Sequence, residues 1–185
     1  MIKTFTGPMH SGKTAAMMKE YFSIWNKEHI LCFKPKEDTR DGASIKSKDY
    51  EESIDAIVID DLDELLEYVT DDIKKVFIDE AEMLTGDVRV LLYFSLIKDV
   101  DIYLAGLNMT SELEPFLIMP QILAVSDEVH YIKASCYDCG RKAGYTFYDG
   151  EKTETIVPGD ENYLSLCNKC LVKRMKSKQI DLLQK

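Results

Sequence analysis

The sequence predicts an α/β protein with a parallel sheet that is covered by helices on both sides, followed by a small C-terminal segment organised around cysteines. Short apolar runs typical of buried strands alternate with stretches of helical periodicity up to residue 132. A glycine-rich turn follows the first of these runs, and two Cys-x-x-Cys pairs lie near the end of the chain. Together these features favour a nucleotide-binding type of sheet with a metal-binding appendage.

Six short runs are predicted to be the strands of this sheet. They cover residues 2–6, 30–33, 54–59, 76–78, 102–105 and 129–132. The runs at 54–59 and 76–78 are almost entirely apolar, which is typical of parallel strands buried on both faces.

Three helices are predicted between these strands, over residues 13–27, 62–69 and 88–97. In the first of them the apolar residues recur at helical spacing. They are Ala16, Met17, Tyr21, Ile24 and Trp25.

The character of the sequence changes after residue 132, where turn residues, polar residues and cysteines dominate up to Cys170. We place a domain boundary near Ser135, giving a core at 1–134, a second domain at 135–175 and a tail at 176–185. From Leu171 onward the chain reads as a basic helix or a frayed tail. The second domain has too little apolar material for a core of its own, so something else must hold it together.

Composition narrows the class of protein. The 185 residues carry a formal net charge of −10 and are 45% hydrophobic, which suits an ordinary globular core. The negative charge argues against a nucleic-acid partner. Much of the acid lies between Asp49 and Glu82, where it is interpreted as solvated helix faces and loops. No apolar run is long enough for a membrane span or a secretory signal, so we expect a cytoplasmic protein without a membrane partner.

The turn after the first predicted strand fits the phosphate-binding pattern G-x-x-x-x-G-K-[ST], with a helix predicted directly after it. Its residues are Gly7, Pro8, Met9, His10, Ser11, Gly12, Lys13 and Thr14. Backbone N–H groups of such a loop and the start of the helix bind phosphates. Lys13 is expected to reach the β- and γ-phosphates of ATP, and the Thr14 hydroxyl to bind Mg²⁺.

A pair of acids, Asp79 and Glu80, follows the predicted strand at 76–78. Asp79 is expected to hold Mg²⁺ through a water molecule, as in other P-loop enzymes. Glu80 is a candidate general base on water or on an acceptor hydroxyl. The alternative is that Glu80 only caps the next helix.

The two cysteine pairs can supply four thiolates to one tetrahedral zinc ion with no open position, which makes the site structural. The ligands would be Cys136, Cys139, Cys167 and Cys170. Two redox pairs or a disulfide clamp are alternatives, which the expected compartment disfavours. A nucleic-acid-binding ribbon is a further alternative, which the acidic residues between the pairs disfavour.

The order of motifs resembles that of the cellular-type thymidine kinases over nearly the whole chain. The P-loop resembles their GxMFSGK[ST] pattern, and the later motifs follow in the same sequence. The matching segments are Lys34-Pro35, Asp38-Thr39-Arg40, Ile78-Asp79-Glu80-Ala81, Gly106-Leu107, Glu114-Pro115-Phe116, Tyr145-Thr146, Ile156-Val157 and Tyr163.

This resemblance implies a RecA-like P-loop core and a zinc-containing lasso domain, residues 135–175, whose loop closes over the nucleoside. It assigns Glu80 as the catalytic base and places Arg40 near the transferred phosphate. Asp38, Asp79 and Glu82 join the P-loop residues as contacts to ATP or phosphate. The implied substrate contacts are Met9, Leu107, Ser111, Phe116, Thr146, Glu154, Ile156, Val157, Pro158 and Tyr163. It also implies a homotetramer, or a dimer, and feedback inhibition by the triphosphate end product.

The chain departs from the family pattern around the base pocket. Glu82-Met83-Leu84 stands where Gln-Phe-Phe is usual, and Ser111 and Glu112 stand where Phe and Arg are usual. His10 replaces a Phe, and Lys48 stands where a His often occurs. The phosphate machinery is intact.

The resulting hypothesis is a kinase that transfers the γ-phosphoryl group of ATP to the 5′-hydroxyl of thymidine or a closely related deoxynucleoside in nucleotide salvage. One alternative is a divergent relative that senses nucleotide or phosphorylates another nucleoside. Another is a zinc-ribbon NTPase that acts on nucleic acid.

Overall fold

The computed structural model describes residues 1–150 and 162–178 of the chain. In chain order the strands are β1 (Ile2–Gly7), β2 (Ile30–Pro35), β3 (Ser44–Ile45), β4 (Ile54–Asp55), β5 (Ile57–Ile59), β6 (Lys75–Ile78), β7 (Asp101–Leu107), β8 (Glu128–Tyr131), β9 (Ala134–Ser135), β10 (Lys142–Ala143), β11 (Tyr145–Tyr148) and β12 (Tyr163–Leu166). The α-helices are α1 (Lys13–Ser23), α2 (Leu65–Tyr68), α3 (Arg89–Leu92), α4 (Met119–Val125) and α5 (Asn168–Ser177).

Six of these strands form one sheet in the order β5-β2-β6-β7-β1-β8, and every neighbouring pair is parallel. The predicted α/β class and parallel sheet are therefore confirmed. Because all strands run the same way, their carboxyl ends meet at one edge of the sheet, where P-loop proteins bind their ligands. β1 and β6, which lead into the P-loop and the acid pair, lie on either side of β7.

The central strands of the sheet are buried on both faces, as predicted for residues 76–78, whereas the edge strand β8 is exposed and so is Val58 of β5. Alternate residues of a strand point to opposite sides, and the two faces pack into separate apolar clusters. Ile78 and Ile102 belong to a cluster with residues of α3 and α4, whereas Phe77 and Tyr103 pack with Met17 and other residues of α1. Phe77 and Tyr103 stack with their ring centroids 4.6 Å apart.

The predicted strand at 54–59 is wrong, since the chain forms two strands there. β4 pairs with β3 in an antiparallel ribbon, and only β5 joins the sheet, beside β2. The N–H of Ala56 donates to the carbonyl of Ala43 at 3.0 Å, so the chain stays hydrogen-bonded to the β3 side of this ribbon until β5 begins. Apolar periodicity alone does not distinguish a sheet strand from a ribbon arm.

The first helix is shorter than its apolar pattern suggests. α1 ends at Ser23, and Trp25, which was predicted on its apolar face, is fully exposed. The Lys27 ammonium donates to the carbonyls of Tyr21 and Ile24, so a side chain satisfies groups that a longer helix would have used.

The other helices follow the prediction in part. The segment 62–69 begins with a 3₁₀ turn under a capping box formed by Asp61 and Glu64, and then becomes α2. α3 continues as a π-helix over Tyr93–Ile97. α4 was not predicted, because it is short and has Pro120 in its first turn. α5 begins before Leu171.

A third apolar cluster lies in the cysteine-rich part of the chain and includes Ala143, Phe147, Leu166 and Leu171. Two antiparallel ribbons, β9 with β10 and β11 with β12, carry these residues. The domain boundary near Ser135 remains a prediction. In the described part of the chain, none of the helices has the length and apolar character needed to cross a bilayer.

Candidate active site

The P-loop connects β1 to α1 and requires glycine where it leaves the strand. Gly7 has φ of 152°, and a Cβ built on it would lie 2.1 Å from the carbonyl oxygen of Ile132. Gly12, directly before α1, has φ of 83°. Both conformations are costly for other residues. His10 also has a positive φ, of 56°, a kind of outlier that is often found in ligand-binding loops.

The side chains of the loop fit a phosphate group. The Lys13 ammonium is buried and lies over the loop, donating to the Pro8 carbonyl at 3.2 Å. The buried Ser11 hydroxyl has no hydrogen-bond partner among the residues that the structure describes. A buried hydroxyl in that condition is well suited to donate to a phosphate oxygen.

Thr14 and Asp79 provide oxygen atoms that fit Mg²⁺. Thr14 lies in the first turn of α1, and Asp79 directly follows β6. The Thr14 hydroxyl donates to Asp79 Oδ1 at 3.0 Å. A hydroxyl and a carboxylate are ligands that Mg²⁺ prefers. The pKa of Asp79 is raised to about 7, mainly by burial and secondly by the negative charge of Glu80. A bound cation at this position would favour the ionised form of Asp79.

Glu80 occupies a strained position at the end of β6. Its φ of 47° and ψ of 40° lie in the left-handed region, which few non-glycine residues adopt. It precedes a 3₁₀ turn over Ala81–Met83 but makes no side-chain cap. Its carboxylate instead pairs with the Arg40 guanidinium. The capping alternative is therefore wrong, and the backbone strain aims the carboxylate at Arg40.

A chain of ion pairs, buried at Lys34 and Asp38 and exposed at Arg40, reaches Glu80 from β2. The Lys34 ammonium lies 3.0 Å from Asp38 Oδ2, and Asp38 Oδ1 accepts from Arg40 Nε at 2.7 Å. Arg40 then pairs with Glu80. Burial opposes ionisation of Glu80, but the positive charges of Arg40 and Lys13 outweigh it and lower the pKa of Glu80. The candidate base is thus ionised at neutral pH.

Lys34 is a functional residue to which the sequence reasoning gave no role. It is 1% exposed, between the buried residues Phe33 and Pro35. A lysine inside an apolar strand needs a buried counter-charge, and that was the available signal. The counter-charge is Asp38, the acid predicted to contact phosphate.

Replacing Lys34 with methionine is expected to lower the free energy of unfolding by up to about 3–5 kcal/mol, because it leaves the buried Asp38 carboxylate with only the exposed Arg40 guanidinium as its cationic partner. Urea unfolding measures this. Lys36→Met is the matched control, since the Lys36–Asp60 pair is exposed and worth at most about 1 kcal/mol. A double variant, Lys34→Met with Asp38→Asn, should recover part of the loss. Equal effects of Lys34→Met and Lys36→Met would contradict the account.

The interpretation of the acids between residues 49 and 82 as solvated is wrong for Glu82. Glu82 is fully buried, as is most of Asp79, whereas many other acids between residues 49 and 82 are exposed. Its carboxyl lies close to Gly106: a Cβ on that glycine would be 2.8 Å from Glu82 Oε2. The pKa of Glu82 is raised well above its usual range, mainly by burial and secondly by the negative charge of Glu80.

The cysteine-rich part of the chain reaches the P-loop through Met9. The Met9 N–H donates to Thr146 Oγ1 at 3.0 Å, and the Ser165 hydroxyl donates to the Met9 carbonyl at 2.5 Å. Two of the predicted substrate contacts, Met9 and Thr146, are therefore brought together. Ser165 was missed, because a serine in a short strand carries no signal of its own.

The other predicted substrate residues are distributed around this junction. Leu107 ends β7 opposite Gly7, and Tyr163 packs against Tyr148 with ring centroids 5.0 Å apart. Phe116 is buried, beyond a bridge between Met109 and Pro115.

Ser111 lies in the turn that this bridge closes, and its place in a base pocket stays a prediction. Four further predicted contacts, Glu154, Ile156, Val157 and Pro158, lie outside the described residues.

The four cysteines of the two pairs converge on one point. Their sulfur atoms all lie within 4.8 Å of one another, with 3.7 Å between those of Cys139 and Cys167 and 3.6 Å between those of Cys170 and Cys139. A tetrahedral zinc ion with Zn–S bonds of about 2.3 Å separates its sulfurs by about 3.8 Å. The donor set and spacing fit a structural zinc ion. Arg174 packs α5 onto this site through Asp138 and Asp149.

A P-loop, an acid beside its threonine and an arginine-paired glutamate at the same sheet edge define a P-loop phosphotransferase. Comparison with known families places the chain more narrowly, since the thymidine kinase family model matches residues 1–171. The chain therefore belongs to the thymidine kinase family, and it is a kinase.

Individual relatives support this assignment. The chain is 30% identical over 171 residues to a thymidine kinase of Pseudothermotoga lettingae, covering 90% of this chain and 92% of that protein. It is 30% identical over 190 residues to a thymidine kinase of Onion yellows phytoplasma, covering 96% and 90%. A thymidine kinase of Mycoplasma mobile is 28% identical over 188 residues, covering 100% and 94%.

Proposed function

We propose that this kinase transfers the γ-phosphoryl group of ATP to the 5′-hydroxyl of thymidine or a closely related deoxynucleoside. The observation that carries the proposal is the Glu80–Arg40 pair, held at the carboxyl end of β6 beside Lys13, Thr14 and Asp79. This arrangement combines a base for the acceptor hydroxyl with positive groups for the transferred phosphate.

In the proposed reaction the Glu80 carboxylate accepts the proton of the 5′-hydroxyl as that oxygen attacks the γ-phosphorus. Mg²⁺, held by Thr14 and through water by Asp79, would neutralise charge on the phosphates. Because the transition state for such transfers is largely dissociative, positioning and charge neutralisation by Lys13 and Arg40 contribute more than the base. Once the proton has left its oxygen, Glu80 is the neutral partner of Arg40.

The cysteine site and the segment around it are proposed to shape the nucleoside pocket. The lasso domain, residues 135–175, would hold a structural zinc ion and exclude water, which competes as a phosphoryl acceptor. Its contact with Met9 supports this role, because it ties the domain to the loop that binds phosphate. The homotetramer and the feedback inhibition by the triphosphate end product are carried over from the family as proposals.

A screen against all natural deoxynucleosides with γ-labelled ATP tests the proposal. Labelled 5′-monophosphate is expected with thymidine or a close relative, and Lys13→Ala should lower the rate at which it forms. ADP release without a labelled nucleotide would show an ATPase. Nucleotide binding without any turnover would show a sensor, a role that the intact Glu80–Arg40 pair does not favour.

The altered base pocket gives a separate prediction. If Ser111 lines the pocket in place of an aromatic ring, Ser111→Phe should lower the Michaelis constant for thymidine, because base–aromatic stacking is worth about 1–3 kcal/mol. The constant for ATP should stay the same. A higher constant for the preferred nucleoside would show that this substrate fills the space. No change in either constant would remove Ser111 from the pocket.

A further inference from the structure

The proposed reaction gives the Glu82 carboxyl no role as an ion, and no cation of the described residues is paired with it, unlike Asp38. It is 0% exposed, and neither of its oxygens has a hydrogen-bond partner among the described residues. An ionised carboxylate in that position would forfeit its hydration without any compensating hydrogen bond, which is far more costly than burying a neutral acid.

The surroundings of Glu82 offer little positive charge. From β7 and α4 it faces Gly106 and Met119, which carry none: a Cβ on Gly106 would meet Glu82 Oε2 at 2.8 Å and Met119 Sδ at 2.9 Å. The charged groups that act on it are Glu80, in its own segment, and Lys13 at the start of α1. The Lys13 ammonium donates to the Pro8 carbonyl and not to Glu82.

The charges at the site do not balance when every group is ionised. The carboxyl groups are Asp38, Asp79, Glu80 and Glu82, and the basic groups are Lys13, Lys34 and Arg40. One negative charge is in excess. Asp38 and Glu80 are paired with cations, and Asp79 accepts a hydrogen bond from Thr14, so Glu82 is the group best suited to hold a proton.

We propose that Glu82 is a neutral carboxylic acid whose O–H donates to the Glu80 carboxylate, which makes Glu82 a positioning residue for the base. This inference rests on the proposed role of Glu80. Two ionised carboxylates cannot hydrogen-bond to each other, whereas a single proton between them supplies the donor. Glu80 lies two residues before Glu82, and its charge acts on the buried Glu82 carboxyl. A neutral Glu82 also leaves the phosphate site free of a further negative charge.

A proton on Glu82 has a consequence for stability that does not involve activity. The unfolded chain releases this proton near the ordinary pKa of a glutamate, whereas the folded chain, with its raised pKa, retains it. Since the folded state binds more protons in that interval, the stability of the parent falls as pH rises from about 5 towards the folded pKa. Glu82→Gln keeps the shape and a donor but cannot ionise, so it should not show this loss.

The first test is the melting temperature of the full zinc-loaded chain between about pH 5 and pH 9, for the parent and for Glu82→Gln. The advantage of Glu82→Gln over the parent is expected to grow with pH. Glu67→Gln, on the exposed side of α2, is the control and should track the parent. A difference between Glu82→Gln and the parent that stays constant with pH would overturn the proposal.

The second test reads the proton directly. At neutral pH the infrared carbonyl band of neutral carboxylic acid should be stronger in the folded parent than in Glu82→Gln. It should not vanish in Glu82→Gln, because Asp79, with a pKa of about 7, contributes to the band in both proteins. Its presence with equal intensity in both proteins would assign the proton to another acid and overturn the proposal. This test and the melting temperatures remain decisive if the parent phosphorylates no nucleoside, an outcome that would refute the proposed function alone.

The third test separates positioning from packing by the pH profile of turnover. The turnover of Glu82→Gln, taken relative to its own value at neutral pH, should persist at alkaline pH, where the parent loses the shared proton. Glu82→Leu, which has no donor, should lower kcat more than it changes the Michaelis constants. Coincident relative pH profiles for the parent and Glu82→Gln would overturn the role.

Discussion

Replacing Glu80 with glutamine is expected to lower turnover by about 10²–10⁴-fold, the range that general-base catalysis contributes. Glutamine keeps the size of the side chain and can still accept a hydrogen bond from Arg40, but it cannot take the hydroxyl proton. ATP affinity should change little, because the P-loop and the Thr14–Asp79 contact are untouched. Single-turnover rates and ATP binding, measured on the same protein, separate the two effects.

Lys13→Ala is the contrasting variant. It removes the ammonium that lies over the P-loop, so it should weaken ATP binding as well as turnover. If Glu80→Gln turns over as fast as the parent, Glu80 is not the base, and Asp38 becomes the next candidate because it bonds to Arg40 on the other side.

Replacing Cys167 with serine is expected to cost the protein its zinc and the order of the lasso domain. A structural zinc site contributes an apparent free energy of about 10–16 kcal/mol. That equals or exceeds the whole stability of a typical domain, about 5–15 kcal/mol. The third apolar cluster is too small to replace it. Metal analysis should give about one zinc per parent chain and none for the variant.

The P-loop core should survive this change, because its two apolar clusters contain no residue of the cysteine-rich segment. Far-ultraviolet circular dichroism and ATP binding report on the core, and turnover reports on the nucleoside site. Cys32→Ala is the control, since Cys32 is buried against α1 and lies outside the four-sulfur cluster. Full activity in a Cys167→Ser protein without zinc would refute the role given to the site.

The sheet and the phosphate site could be predicted because their signals are local. The pattern from Gly7 to Thr14 requires tight turns and a helix start, and apolar runs such as residues 76–78 need burial on both faces. The four cysteines met at one point because their paired spacing fits a tetrahedral metal. For the sheet and the P-loop the physical constraint lies within a few neighbouring residues, and for the cysteines it lies within each Cys-x-x-Cys pair.

What could not be predicted depends on contacts between distant segments. Lys34 gains its role only when Asp38 folds back onto it and Arg40 reaches Glu80 across the sheet edge. The burial of Glu82 beside Gly106 could not be predicted either, because in the sequence Glu82 is only one of many acids in an acidic region. The same holds for the split of residues 54–59, which the pairing of β3 with β4 decides.

The most direct measurement of the central claim is the product formed from γ-labelled ATP, Mg²⁺ and thymidine. The account predicts that ADP and thymidine 5′-monophosphate appear in equal amounts, that the label is on the 5′-phosphate, and that chelating the Mg²⁺ stops the transfer. ADP formed without any nucleotide product, or no transfer to any natural deoxynucleoside, would contradict it.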